Sequence, residues 1–372
     1  MDDRPDHTAP KKSTLRLLFL ANAGAVHAQR WIGYFRERGH ETRWLSLEEI
    51  PVDVDAVKLP ERFFHQAGSI LLAVPRIKAE IRRFKPQVVN ALFVPNYGWA
   101  GALCGFSPLV VSAWGSDVLI SPRKSLWHRK RVSLIVKKAD LLFADAKVIA
   151  ERMVELGADQ ERIVTVPLGV DPTLFDRPRD EPRADEVCRV ISTRKFEPLY
   201  RNETFVEAAI QILRKEPGQF RFALIGEGST RGVAKERVAH AGLSGAISFH
   251  PFLPPEELYG LLVAADIYVS CSESDGTSVS LLEAMALGLY PIVTDIPANR
   301  EWITDGVNGR LFPVGGAAAL AGVIKEVAAS QKMWPDVCEK NRAIIKKRAL
   351  WPENMAVVER AIVNLVHQSH RC

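Results

Sequence analysis

The sequence predicts an α/β protein made of two doubly wound, parallel-sheet domains facing a cleft. Three observations lead there. Short apolar runs of the kind that form strands buried on both faces alternate with amphipathic helical segments along most of the 372 residues. The alternation breaks once, at GVDPTLFDRPRDEPRADEV (169–187), which combines three prolines with many charges. A chain of this length also suits two domains of roughly 100–200 residues, each with its own core.

The first fourteen residues, MDDRPDHTAPKKST, are polar and lack the apolar stretch of a signal peptide, so 1–14 is expected to be a flexible tail. LRLLFLA (15–21) is the first strand. After an Asn-Ala-Gly turn, HAQRWIGYFRERGHE (27–41) has helical spacing, with Trp31, Ile32, Tyr34 and Phe35 turned inward and Gly39 as its stop. TRWLSL (42–47), QVVNALF (87–93), LVVSAW (109–114), DLLFADA (140–146) and RIVTVPL (162–168) continue the strands. Helices are expected near 67–84, 98–104, 123–138 and 147–156. Residues 15–170 therefore form an N-terminal domain and 171–186 a linker.

Alternation restarts in 187–350, with CRVISTR, FRFALIG, AISFH, DIYVSCS and YPIVTD as strands and helices over 203–215, 230–241, 254–264 and 278–288. WPDVCEKNRAIIKKRALWPENM (334–355) and AVVERAIVNLVHQ (356–368) read as helical, with Pro352 suited to a first helical turn. Residues 351–372 are expected to pack back toward the N-terminal domain as a C-terminal helix. In open sheets of this kind, ligands bind outside the carboxyl ends of the strands.

A hydrophobic fraction of 47% and a charged fraction of 25% exclude wholesale disorder. Five scattered cysteines without a C-x-x-C pair indicate neither a disulfide framework nor a zinc site. No apolar run reaches the length of a membrane span. These features predict a cytoplasmic protein. The net charge of +5 is uneven: residues 1–170 carry +7 and residues 171–372 carry −2. The excess lies in PRIKAEIRRFK (75–85) and PRKSLWHRKRVSLIVKK (122–138). Either these are solvated helix faces, or they meet anionic lipid or an anionic substrate. No nucleic-acid-binding motif accompanies them.

The chemistry concentrates in ESDGTSVSLLEA (273–284), which follows a strand and opens a helix stopped by Gly288. Thr277 or Ser278 is the expected N-cap. The unpaired amides of a helix start attract anions, and Gly276 permits close backbone approach to a phosphate. Glu283 lies about 7.5 Å along the helix, at about 1.5 Å per residue, a sensible offset from pyrophosphate to ribose. A carboxylate amid Leu281, Leu282, Ala284 and Met285 is costly without a partner, and this one is placed to accept both ribose hydroxyls. Asp275, just before the helix, either accepts hydroxyls of a sugar or serves as an ordinary cap.

ADIYVSCSESDGTSVSLLEAMALGLYPIVTDIPANREWITDGVNGRLF (265–312) resembles the E-x7-E region of retaining glycosyltransferases with two Rossmann-like domains, the GT-B fold, and specifically family 4. Asp275 stands where the family usually has Glu. Weaker similarity runs through GHE (39–41), ADLLFADA (139–146), RIVTVPLGVDPTLF (162–175) and LIGEGSTR (224–231). The resemblance implies that Glu283 holds the ribose, Asp275 the donor sugar, and the backbone at Gly276, Thr277 and Ser278 the pyrophosphate. It also implies a basic pair after the first strand of the second domain. Arg194 fits the first position; Leu199 occupies the second, leaving Arg201 or Lys195 to substitute. No metal-binding Asp-x-Asp is present, so the resemblance implies a metal-independent reaction with no cofactor beyond the nucleoside-diphosphate sugar.

NAGAVHAQRW (22–31) replaces the family's glycine-rich first loop, and brings His27 and Arg30 to the cleft wall as candidates. In SAWGSDV (112–118), Trp114 stands where many members have a His, so no catalytic His is carried over. Asp117 either lines the acceptor or sugar pocket or caps the basic helix that follows. Asn299 and Arg300 in ANREW (298–302) lie where the family approaches the donor, or else shape a turn. The implied activity is retaining transfer of a hexosyl group to a hydroxyl. The basic, partly amphipathic stretch 122–138 separately suggests a lipid-linked acceptor at an anionic inner-membrane surface, for surface polysaccharide or glycolipid assembly, and a peripheral location there. Two other readings stay open: a nucleotide-sugar epimerase or other enzyme of the same fold, and a non-catalytic sugar-binding protein.

Overall fold

The computed structural model describes residues 14–60, 67–177 and 187–369. The expected tail up to Ser13 and linker residues 178–186 lie outside the described residues. The chain separates into two compact units: residues up to Ala144 with Ala150–Thr165 and Met355 onward, and Asp145–Ile149 with Val166–Asn354.

In chain order the first half contains β1 (Arg16–Leu20), α1 (Val26–Glu37), β2 (Glu41–Ser46), β3 (Val57–Lys58), α2 (Ala67–Phe84), β4 (Val88–Leu92), α3 (Trp99–Cys104), β5 (Leu109–Ala113), α4 (Ser116–Leu119), α5 (Leu126–Lys138), β6 (Leu141–Ala144), α6 (Lys147–Glu155) and β7 (Ile163–Thr165). The seven strands are parallel, in the order β3-β2-β1-β4-β5-β6-β7. All five residues of β4 and of β5 are buried, Asn90 and Ser112 included, as parallel strands covered on both faces should be. Two-residue β3 is too short to leave a periodic signal. The helix expected near 123–138 begins at Leu126, because the Ser125 hydroxyl accepts from the His128 amide at 3.3 Å and caps it.

The second unit is built from β8 (Cys188–Ser192), α7 (Asn202–Lys215), β9 (Phe220–Ile225), α8 (Arg231–His240), β10 (Ile247–His250), α9 (Pro255–Val263), β11 (Ile267–Ser270), α10 (Val279–Ala286), β12 (Tyr290–Thr294), α11 (Pro297–Arg300), β13 (Arg310–Phe312), α12 (Ala317–Ala329) and α13 (Trp334–Arg348). Its six parallel strands run β10-β9-β8-β11-β12-β13. Alternate residues feed opposite layers. Val190, Phe222, Val269 and Ile292 pack with Phe205 and Ile324 on one face. Ile191, Ile225, Tyr268 and Val293 pack with Leu282, Met285 and Ile345 on the other. Strand order reverses between β8 and β11, so the loops leaving these two strands flank the crevice where a doubly wound sheet binds ligands.

The helical stretch read over 334–355 is broken at Ala349–Leu350, and α14 (Trp351–Ser369) starts at the residue where the C-terminal helix is expected. Leu350 forms a parallel bridge to Val170, with Val170 N donating to Ala349 O and Trp351 N to Val170 O, both at 2.8 Å. These remote backbone bonds outcompete the helical ones, and Pro352 then sits in the new first turn, where its missing N–H costs nothing. Farther along α14, Glu359 accepts from Tyr34 Oη at 2.9 Å and Arg38 Nε at 3.2 Å. His40 Nδ1 accepts from the Leu15 amide, so its Nε2 carries the proton and donates to Glu359 at 3.1 Å. Burial opposes charge on Glu359, yet these donors hold its carboxyl below the usual value.

No helix among the described residues is long and apolar enough to cross a membrane. Among those residues, no group of three or more His, Cys, Asp or Glu is placed to hold a metal ion.

Candidate functional site

The site is assembled where β8 and β11 end. Beyond β8, residues 194–197 lie against the turn after β9. Phe196 N donates to Glu227 O and Thr230 N to Phe196 O, both at 2.9 Å. That approach needs Gly228: at φ +150° a Cβ there would stand 2.3 Å from the Phe196 carbonyl oxygen.

Beyond β11, the chain turns at Asp275 and enters α10. Of the two expected caps, Ser278 is the N-cap, its hydroxyl accepting from the Leu281 amide. Thr277 is buried and donates its hydroxyl to the Asp145 carbonyl oxygen. A Cβ on Gly276 would meet the Asp145 carboxyl at 2.4 Å, so close packing with residues 145–149 of the same unit requires glycine here.

The two loops meet at Arg194. Its Nη2 donates to Asp275 Oδ2 at 2.5 Å, and its Nη1 donates to Ser278 Oγ at 2.7 Å and Ser280 Oγ at 3.0 Å. The Tyr200 ring lies under the guanidinium, 4.4 Å from its Cζ. Both members of the ion pair are largely buried, with side-chain exposures of 11% and 15%. Burial works most strongly against charge on Arg194, but its neighbours, Asp275 first and then Tyr268 and Tyr200, together outweigh it and hold the guanidinium above its ordinary value. Burial pushes the Asp275 carboxyl up, while Arg194 and the Gly276 amide pull it down. Arg194 Nε is buried and has no hydrogen-bond partner among the described residues. The arrangement is a fixed, desolvated cation beside the open amides of a helix start, and both favour an anion.

Glu283 is partly buried on α10 and accepts from the hydroxyl of Tyr259 on α9 at 3.0 Å. Of the two candidates for the second basic position, Arg201 donates from Nε to Glu273 Oε2 at 2.7 Å, tying the same two loops together a second time. Lys195 is exposed, and its carbonyl oxygen holds the Asn202 side chain at 2.8 Å. Asn299 is buried and donates to the Thr294 carbonyl at 2.8 Å, shaping the turn after β12. Arg300 is exposed and forks onto Asp295 at 2.5 and 2.8 Å.

In the first unit, Asp117 is fully buried. Its carboxylate accepts from the amides of Val94, Trp114, Gly115 and Val118 at 3.0–3.4 Å. Burial raises it to about 6 against the pull of those amides. The carboxylate stitches the ends of β4 and β5 together from the first turn of α4, while Ser125 caps the basic helix α5. His27 is exposed in the first turn of α1, its ring 6.1 Å from Trp114, and Arg30 lies partly buried one turn on.

Sequence reasoning missed Tyr200, Tyr259, Tyr268 and Ser280. Ser280 lies inside the quoted motif and was open to inspection. Tyr200 lies in the same loop as Arg194 and was equally open, whereas Tyr259 on α9 and Tyr268 on β11 reach the site through the packing of the sheet.

The description "Glycosyl transferases group 1" matches residues 177–349, and "Glycosyl transferase 4-like" matches residues 16–146. The chain is 27% identical over 71% of its length to the amylovoran biosynthesis glycosyltransferase AmsK of Erwinia amylovora, of which it spans 66%. It is 24% identical over 77% of its length to the lipopolysaccharide core biosynthesis glycosyltransferase LpsE of Rhizobium meliloti, of which it spans 78%. It spans less than half of some other curated relatives that it matches. Anabaena HepE, solved in complex with UDP, superposes with a TM-score of 0.77 at 16% identity, over 94% of this chain and 100% of that one.

Proposed function

Because the chain belongs to the group 1, family 4 glycosyltransferases with two Rossmann-like domains, we propose that it transfers a hexosyl group from a nucleoside-diphosphate sugar to a hydroxyl acceptor, with retention at the anomeric carbon, in surface polysaccharide or glycolipid assembly. The observation that carries this is the buried Arg194–Asp275 pair at the start of α10, with Glu283 five residues into the helix. The names of AmsK and LpsE support the biosynthetic setting, and the UDP held by HepE supports a diphosphate donor.

In the proposed reaction the bond from the anomeric carbon to the diphosphate oxygen breaks. A bond to the acceptor oxygen forms on the same face, and the acceptor proton passes to the leaving phosphate oxygen. Arg194 and the α10 amides meet the charge that builds on the diphosphate, preorganised and without a metal. Glu283 accepts the ribose hydroxyls and Asp275 those of the sugar. The test is thermal unfolding with UDP, GDP or ADP, followed by acceptor-dependent release of that diphosphate from its sugar donors. One diphosphate raises Tm, and release needs acceptor. Release without transfer to any acceptor, or binding of free sugar alone, would point to another enzyme of this fold or to a binding protein.

We further propose a peripheral position on the cytoplasmic membrane face, with a lipid-linked acceptor. The support is α5, where exposed Leu126 and Leu134 accompany Arg129, Lys130, Lys137 and Lys138 along a shallow groove of about 690 Å³, with Trp127 exposed on the same helix. Flotation with anionic vesicles is expected at low salt and its loss at high salt; absence of the protein from the vesicle fraction at both sinks the proposal.

A further inference from the structure

Tyr268 lies on the face of the second sheet that packs on α10, and it is 0% exposed. A phenol carried into such a layer is costly unless its hydroxyl is bonded. That hydroxyl meets Ser280 Oγ at 2.8 Å. Ser280 Oγ in turn lies 3.1 Å from Ser278 Oγ. Both serine oxygens accept from Arg194 Nη1, so each serine has a single hydrogen left to give.

The hydrogens then favour one order. Tyr268 donates to Ser280, whose two acceptor sites are then filled by Tyr268 and Arg194. Ser278 already accepts from Arg194 and the Leu281 amide, so its hydrogen cannot go to Ser280 and is left over at the start of α10. The reverse order leaves the buried phenolic hydrogen without an acceptor, among the described residues, outside this run of hydroxyls. We propose that Tyr268 and Ser280 are positioning residues that fix the Arg194 guanidinium and turn the Ser278 hydroxyl toward an oxygen of the bound diphosphate. The inference rests on the donor site proposed above and adds how its cation is held.

The test uses the full chain and whichever of UDP, GDP and ADP binds the wild type. Tyr268→Phe and Ser280→Ala should each weaken diphosphate binding about tenfold, the effect of one lost hydrogen bond to a charged group. Each should lower kcat more than it raises the donor KM, since charge on the diphosphate is greatest as it leaves. The double variant should be no weaker than the weaker single one, because both break the same chain. Ser280→Thr, which keeps the hydroxyl, should restore binding. Wild-type affinity in both single variants, or losses that multiply in the double, overturns the inference. Should Tyr268→Phe fail to fold, Ser280→Ala against Ser280→Thr decides it alone. Silent single variants alongside a defective Arg194→Ala overturn only the hydroxyl chain. An Arg194→Ala protein that binds diphosphate normally, or a wild type that binds none, overturns the donor site itself.

Discussion

Arg194→Ala is expected to lower kcat for sugar transfer about a thousandfold at saturating donor, within the range seen when a preorganised charge-stabilising group is removed. Four groups set that scale: Asp275, the two serine hydroxyls and the Tyr200 ring, which fix the guanidinium in a site where little water screens it. The same substitution leaves Asp275 buried without its partner, and removing one member of a buried pair costs about 3–5 kcal/mol of stability. Protonation of Asp275 relieves part of that, since burial already favours its neutral form. Stability and catalysis are therefore read separately, by thermal unfolding and by rate. Arg194→Ala with Asp275→Asn should recover most of the lost stability and none of the rate. Arg194→Lys keeps the charge but cannot reach Asp275 and both serines at once, so it should fall between wild type and Arg194→Ala. A near-normal rate in Arg194→Ala removes the cation from the mechanism.

Glu283→Ala should act mainly on donor affinity. Two charge-assisted hydrogen bonds to ribose, each about 1.5–3 kcal/mol, predict that the donor KM rises about a hundredfold or more. The fold should survive, because the position is only partly buried; among the bonds lost there is one from the Tyr259 hydroxyl. Tyr259→Phe is the control: it removes that bond, keeps the carboxylate, and should change the donor KM by less than about tenfold. Steady-state kinetics with the natural donor and its 2′-deoxyribose analogue gives the second reading. Wild type should discriminate between the two, and Glu283→Ala should not. Equal discrimination in both proteins would falsify the ribose assignment.

Most strands of both sheets were legible because they are largely apolar runs, and burial of a parallel strand on both faces writes itself into neighbouring residues; β3 and β13, two and three residues long, were too short for that. The start of α10 was legible for a similar reason: strand end, Asp275, Gly276, cap and Glu283 fall within one short segment. The second basic position was not. Arg201 and Lys195 are alike in the chain, but only Arg201 reaches across to the β11 loop, where Glu273 holds it. Asp117 was visible as a polar residue after a strand, whereas its burial among four backbone amides belongs to the way β4 and β5 end side by side.

Local composition and spacing therefore determined the two α/β halves, the anion-ready helix and the residue types around it, since helices, strands and caps are formed by near neighbours. Tertiary structure alone decided that Arg194 meets Asp275, 81 residues away, and that Tyr268 reaches Ser280. Those contacts follow from β8 lying beside β11, and from alternate residues of a strand facing opposite layers. They depend on which strands pair, and strand pairing is set by the packing of the whole sheet between its helices.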